Sequence, residues 1–348
     1  MIICKNSINF ASGMEKKSAN TLKYILWIAL AAVLLYFSFR GVDWAQFGSA
    51  LASCRWGYVV LSIGLGALVY FLRALRWRMQ ILPLDPSTGR LTCLNAYNLC
   101  MITNLVLPRV GELVRCGYVA KHSARDEEGN RLVSVDKALG TVVLDRLWDA
   151  LSMGVMILIF LALMWKRFGT YLSENVTAGL LSHGKLWWIL GGAVAAGAAF
   201  ILLCRKMRGR GGLWAKVWNF IEGIGDGLVS CFHMRHGWIF VLYTVLIWGL
   251  YWLMSACCIW ALRDIEAFSS LTGADALFLT IAGSLSSVIP VPGGFGAYHS
   301  VVAGALLSVY GIPFETGLIF ATLAHESQVV TAVLAGGVSY IHENFFRG

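Results

Sequence analysis

Long apolar runs dominate the chain, and they end in two different ways. Six of them, at about 22–39, 56–72, 138–165, 187–204, 237–262 and 315–341, are bounded by polar or basic residues. Each approaches the ~20 apolar residues that a helix needs to cross hydrocarbon. Two others are shorter and end in helix-breaking residues. Leu91–Leu107 carries Asn95, Asn98, Thr103 and Asn104, stops at Pro108, and is followed by a helix-compatible stretch at 109–121. Residues 275–289 stop at Pro290-Val291-Pro292-Gly293-Gly294-Phe295-Gly296, and 297–310 return. Each of these reads as a re-entrant hairpin. The expected fold is an all-α polytopic membrane protein with about six transmembrane helices plus two re-entrant broken-helix hairpins, eight hydrophobic segments by hydropathy. Asp43–Ala52 is short and mixed and reads as an interfacial segment, and the amphipathic stretch 213–231 reads as a helix lying flat on the membrane surface.

The order of elements repeats. Residues 1–20 form an N-terminal cytoplasmic tail. Residues 21–170 form a first membrane repeat with its hairpin at 91–121, and 171–348 a second with its hairpin at 275–310. Each half holds an odd number of spans, so the second is expected to be inverted relative to the first. That is a transporter-like plan.

Composition agrees. The 348 residues are 58% hydrophobic and 14% charged, with a mean hydropathy of +0.68, where soluble domains carry about a quarter charged residues. An outer-membrane barrel would need short alternating segments, which are absent. The net charge of +9 sits in short loops, which excludes nucleic acid as a partner and suits lipids with anionic headgroups. With the N-terminus and the C-terminus both cytoplasmic, most of the 28 Lys and Arg lie inside; Arg40, Arg55, Lys166, Arg167, Lys185 and Arg263 lie outside. The expected location is a bacterial cytoplasmic (inner) membrane. The run at 24–39 has no cleavage site after it and reads as a retained anchor. The nine cysteines show no CxxC pair, no His/Cys cluster has metal spacing, and no cofactor or metal is expected.

The charged residues within apolar surroundings carry the candidate chemistry, because burying them is costly unless they pair or line a wet cavity. A helix restarting after Pro108 would point its N-terminus at the hairpin tip. Arg109 beside that end makes an anion site suited to phosphate. Glu112 lies three residues from both Arg109 and Arg115 and can neutralise either. The plain alternative is a cytoplasmic loop with solvated charges. Pro290, Gly293, Gly294 and Gly296 cannot continue a helix, and their amides offer a second anion cradle; the alternative is a tight turn between full spans. His299 lies one turn further on and could titrate or donate a hydrogen bond. Asp145, Arg146 and Asp149 form a cluster expected to pair with Arg109 or Arg115, or else a helix end at the interface. His325, Glu326 and Gln328 lie deep in an apolar helix, where burial favours a role.

At these residues the chain resembles the transmembrane region of lysylphosphatidylglycerol synthetase, a flippase-like family that includes the flippase domain of the multiple peptide resistance factor. The resemblance rests on Leu107-Pro108-Arg109-Val110-Gly111-Glu112 with Arg115, on Asp145-Arg146-Leu147-Trp148-Asp149, and on Pro290–Gly296, in order over roughly 20–340. The family usually has glutamate where His299 stands and often where Asp145 stands, so a carboxylate-specific role at position 299 does not carry over. The chain ends after its last span, so the resemblance implies the translocating half without the soluble synthase domain. The implied function is an inner-membrane flippase for a phospho- or polyprenyl-phosphate lipid. Substrate contacts would come from Arg109, Glu112, Arg115, Asp145, Arg146, Pro290, Gly293, Gly294, Gly296, His299 and Glu326. No Walker motif is present. Two other readings stay open: a membrane transferase acting on a lipid-linked sugar or phospholipid, and a non-transporting partner of a separate lipid-modifying synthase.

Overall fold

The computed structural model describes residues 28–171 and 237–346, together with the helical stretch 202–207 and isolated positions between 192 and 218. Among these the helices are α1 (Ile28–Phe39), α2 (Trp44–Ala52), α3 (Trp56–Ile81), α4 (Arg90–Val106), α5 (Gly111–His122), α6 (Val135–Tyr171), α7 (Gly237–Ala261), α8 (Glu266–Ser269), α9 (Gly273–Ser286), α10 (Ala297–Tyr310) and α11 (Phe314–Phe346). Four segments have the length and apolarity of membrane spans: Trp56–Ile81, Val135–Leu163, Gly237–Ala261 and Phe314–Phe345. They match four of the six expected spans. Of the other two, 22–39 is described from Ile28 onward. The run 187–204 and the surface helix at 213–231 lie largely outside the described residues.

The segment Asp43–Ala52, expected at the interface, forms a helix over Trp44–Ala52 with Asp43 as its cap. Gly41 turns the chain with φ +86, and Asp43 caps α2 by accepting from the amides of Ala45 (2.9 Å) and Gln46 (3.1 Å). α1 and α2 meet at 88°. One expected boundary is corrected. The apolar run at 56–72 is expected to end before the basic residues Arg73, Arg76 and Arg78. Instead α3 continues to Ile81, and Arg73 and Arg76 are buried.

Both broken segments fold as helical pairs too short to cross alone. At 1.5 Å per residue, α4 is about 25 Å long and α5 about 18 Å, and α9 and α10 are about 21 Å each, against ~30 Å of hydrocarbon. Pro108 lacks the N–H that would continue α4. α5 then restarts under a cap supplied by α4 itself, because the Asn104 side chain accepts from Gly111 N at 2.9 Å. In the second pair a capping box between Thr272 and Asp275 starts α9. Gly296 at φ +77 turns into α10, and Gly311 in the left-handed conformation ends it.

The chain divides into two compact units that interleave in sequence. One holds the described residues up to Ala74, Gly89–Tyr118 and those from Ile247 onward. The other holds Leu75–Thr88 and Val119–Leu246.

In the first unit, α11 is the axis. Near its C-terminal end, Asn95 at the base of α4 meets His342 at 3.1 Å, and Tyr118 at the base of α5 donates to Glu343. Asn98 donates to Ser339 at 3.0 Å, and Gly336 packs on Ile102. The α4–α5 hairpin therefore stands on the C-terminal end of α11 and climbs along it. The α9–α10 hairpin stands at the other end. Only Gly311-Ile312-Pro313 separate α10 from α11, and Phe278 of α9 packs on Tyr310 at the foot of α10. That end also holds one apolar cluster containing Val42, Phe47, Cys54, Leu262, Phe268 and Ile312. The Arg55–Asp264 ion pair, with a 2.6 Å contact, lies there too. The two tips meet near the middle of α11. A Cβ at Gly293 would lie 3.4 Å from Leu105 at the end of α4, and the Gly293 carbonyl lies 2.9 Å from His325 Nε2.

In the second unit, the loops at either side of the first hairpin are tied together. Asp85, before α4, accepts from Ser123 Oγ and Ala124 N, after α5, each at 2.9 Å.

Candidate functional site

The first tip is built by Leu107–Val110. Leu107 is extended, and Arg109 is the one non-glycine residue among those described with a positive φ, at +64. A left-handed conformation costs an L-residue about 1–2 kcal/mol, so the rest of the hairpin imposes it. Gly111 makes the tight return possible, since a Cβ there would collide with the Cys100 carbonyl and the Asn104 side chain. Arg109 is exposed and forms no ion pair among the described residues. Arg115 is fully buried, pairs with Glu112 at 2.9 Å and lies over the Tyr97 ring. Of the two arginines Glu112 was placed to neutralise, it holds Arg115.

The amides at the start of α5 are largely occupied. Gly111 N goes to Asn104, while Leu113 and Val114 donate to Val110 O. The anion site expected here therefore rests on the Arg109 guanidinium and the dipole of α5 rather than on open N–H groups. The second tip is narrowed in the same way. Gly294 N donates to Val291 O and Phe295 N to Pro292 O, at 3.2 Å each, so the Pro290–Gly296 turn uses part of its proposed cradle to hold itself. Gly293 (φ +58), Gly294 (φ +79) and Gly296 (φ +77) all need glycine. Gly296 also packs directly on Leu34 and Leu35 of α1.

Behind the second tip, α10 and α11 bring His299 together with the consecutive residues His325 and Glu326. His325 Nδ1 lies 3.1 Å from Glu326 Oε1, and His299 Nε2 lies 3.9 Å from the same oxygen. Both histidines are buried, while the Glu326 side chain is 43% exposed. Rings fix the imidazoles: Phe295 and Tyr298 pack on His325, and Phe39 on His299. The sequence marks each residue but not their meeting, because no local spacing links position 299 to 325. A cavity of about 100 Å³ lies nearby, lined by Tyr70, Met101, Tyr251, Gln328 and Thr331 among others.

Asp145 and Arg146 belong to the other unit. Their expected pairing with Arg109 or Arg115 is replaced by a different one. Asp145 (2.8 Å) and Asp149 both bind Arg76, which also lies against the Phe240 ring. Arg76 and Asp145 are buried, so each supplies the counter-charge without which burial of the other would be strongly destabilising. Arg146 is exposed and lies 4.0 Å from Asp149. Arg76 is the residue that sequence reasoning missed. The signal was present: Asp145 and Asp149 share one face of a helix at i, i+4 and call for a cation between them.

No curated protein and no solved structure matches the chain. A family model, described as the lysylphosphatidylglycerol synthase TM region, matches residues 24–336. With nearly its whole length inside that match, and with at least four helices suited to membrane crossing, this multi-pass membrane protein belongs to the lysylphosphatidylglycerol synthase TM region family.

Proposed function

We propose that the protein is a flippase for a lipid with a phosphate-bearing headgroup, acting in a bacterial inner membrane with both termini cytoplasmic. The observation that carries this reading is the meeting of two broken helical pairs, standing on opposite ends of α11, near its middle. Such opposed hairpins are what an inverted repeat would place at the bilayer midplane, where transporters bind their cargo. Arg109 presents an exposed cation with no ion pair among the described residues at one of the tips. A phosphate would be held by its guanidinium fork beside the N-terminus of α5, while the acyl chains stay in lipid. Glu112 keeps Arg115 neutralised and is available to exchange partners as the headgroup passes.

The test is lipid flipping in proteoliposomes, read by dithionite quenching of a fluorescent phosphatidylglycerol. The wild type should expose inner-leaflet lipid faster than empty vesicles. Arg109→Ala should slow the rate by about ten-fold or more, the worth of one charge-assisted contact at ~1.4 kcal/mol or above. Undiminished flipping by Arg109→Ala and Glu112→Ala would remove this site from the function.

A further inference from the structure

We propose that His299, His325 and Glu326 form a binding site for a divalent transition-metal ion of the zinc class. The hydrogen bonds of His325 point to it. Its Nε2 lies 2.9 Å from the Gly293 carbonyl, which can only accept, so Nε2 carries the proton. The neutral ring then has its lone pair on Nδ1, and Nδ1 faces Glu326 Oε1 at 3.1 Å. Two acceptors face each other there and need a cation between them. His299 Nε2 approaches the same oxygen at 3.9 Å, and the donor atoms of all three residues lie within 4.8 Å of one another.

Zinc–nitrogen and zinc–oxygen distances of about 2.0–2.2 Å in a tetrahedral shell put neighbouring ligand atoms roughly 3.2–3.5 Å apart. The separations of 3.1 and 3.9 Å bracket that range, so small side-chain rotations suffice. The surroundings are those of a metal site as well. A ligating histidine normally donates its second N–H to a backbone carbonyl or carboxylate, which fixes ring and tautomer; the Gly293 carbonyl does this for His325. Phe295, Tyr298 and Phe39 pack on the two imidazoles and hold them in place. Two imidazoles and one carboxylate suit zinc, and three protein ligands leave a fourth position for water or an anionic oxygen. The exposed side of Glu326 supplies the way in. A proton shared by His325 and Glu326 would satisfy that pair but would leave His299 unused; its Nδ1 is buried with no hydrogen-bond partner among the described residues.

The experiment uses full-length protein in detergent, freed of any affinity tag and stripped with chelator. Zinc is titrated against a chromogenic chelator, and cobalt is added separately to read its visible absorption. The wild type should take up about one zinc per chain and give the intense cobalt bands of a four-coordinate site. Glu326→Gln and His299→Gln should lose both signals while keeping the size-exclusion profile of the wild type. His342→Gln, on the same helix but paired with Asn95, should bind as the wild type does. Zinc uptake by the wild type no greater than by the His299→Gln/Glu326→Gln double variant overturns the proposal, whether the cluster then holds a proton or nothing. Because the readout is metal binding alone, it is independent of whether the protein flips lipid.

Discussion

At the scale of single residues, the tips are places where side-chain identity and backbone conformation conflict. Arg109 holds φ +64, a conformation that glycine adopts without penalty. A residue kept there despite the strain points to a use for its side chain. Arg109→Gly separates the two effects. It should keep or raise the melting temperature in detergent, by up to the ~1–2 kcal/mol of relieved strain, while flipping is lost. A variant that is both less stable and still active would show that Arg109 is structural. Residue identity in the sequence reached Arg109, His299 and Glu326, because charged and titratable groups stand out in apolar surroundings. It did not reach Arg76. Three arginines after an apolar run look like the solvated end of a span, and only the three-dimensional approach of Asp145 and Asp149 makes one of them a buried counter-ion.

At the scale of elements, each hairpin depends on a close approach at its tip and a fastening at its foot. Gly111 is the tightest point of the first. Gly111→Ala should push α5 away from Cys100 and Asn104, break the Asn104 cap and destabilise the protein by about 1–3 kcal/mol, the usual range for overpacking. Melting that matches the wild type would show that the hairpin closes some other way. The foot is held by Asp85. Burial raises its pKa, but hydrogen bonds from Ser87, Ala124 and Ser123 outweigh burial and bring it down to about 2 from the usual 3.8. A depressed folded-state pKa means that ionised Asp85 stabilises the fold above pH ~4, and that this contribution is lost as the pH falls from about 4 toward 2. Asp85→Asn should therefore lower the melting temperature near neutrality and flatten its dependence on pH in the acid range. An unchanged acid slope would remove the clamp from the account. The breaks themselves were legible, since Pro108 and the Pro290–Gly296 run cannot continue a helix. The clamp was not, because Asp85, Ser87 and Ser123 are ordinary loop residues until the fold brings the two loops together.

At the scale of the whole molecule, the sequence predicted spans, sidedness and two re-entrant segments, and these make one geometric claim. If both hairpins are re-entrant, the loops before α4 and after α5 face the same side as the C-terminal end of α11. The loops flanking α2 and α8 face the other. The contacts within each unit agree: Asp85 joins the first two loops, Asn95 and Tyr118 join the first hairpin to the end of α11, and Arg55 joins Asp264 at the opposite end. Hydropathy alone could not separate a re-entrant pair from a single broken crossing, because α4 at about 25 Å is nearly long enough to cross. Cysteine labelling in intact cells decides it. The seven described cysteines are buried, so replacing Cys4 and Cys231 by serine should leave little background. Pro83→Cys and Glu128→Cys, both at exposed loop positions, should be protected from a membrane-impermeant maleimide until the cells are opened. Ser53→Cys and Ser270→Cys, also exposed, should react from outside. Opposite behaviour of positions 83 and 128 would make α4–α5 a crossing. The first tip would then no longer be the end of a re-entrant loop, and with it the opposed-hairpin basis for lipid translocation would be lost.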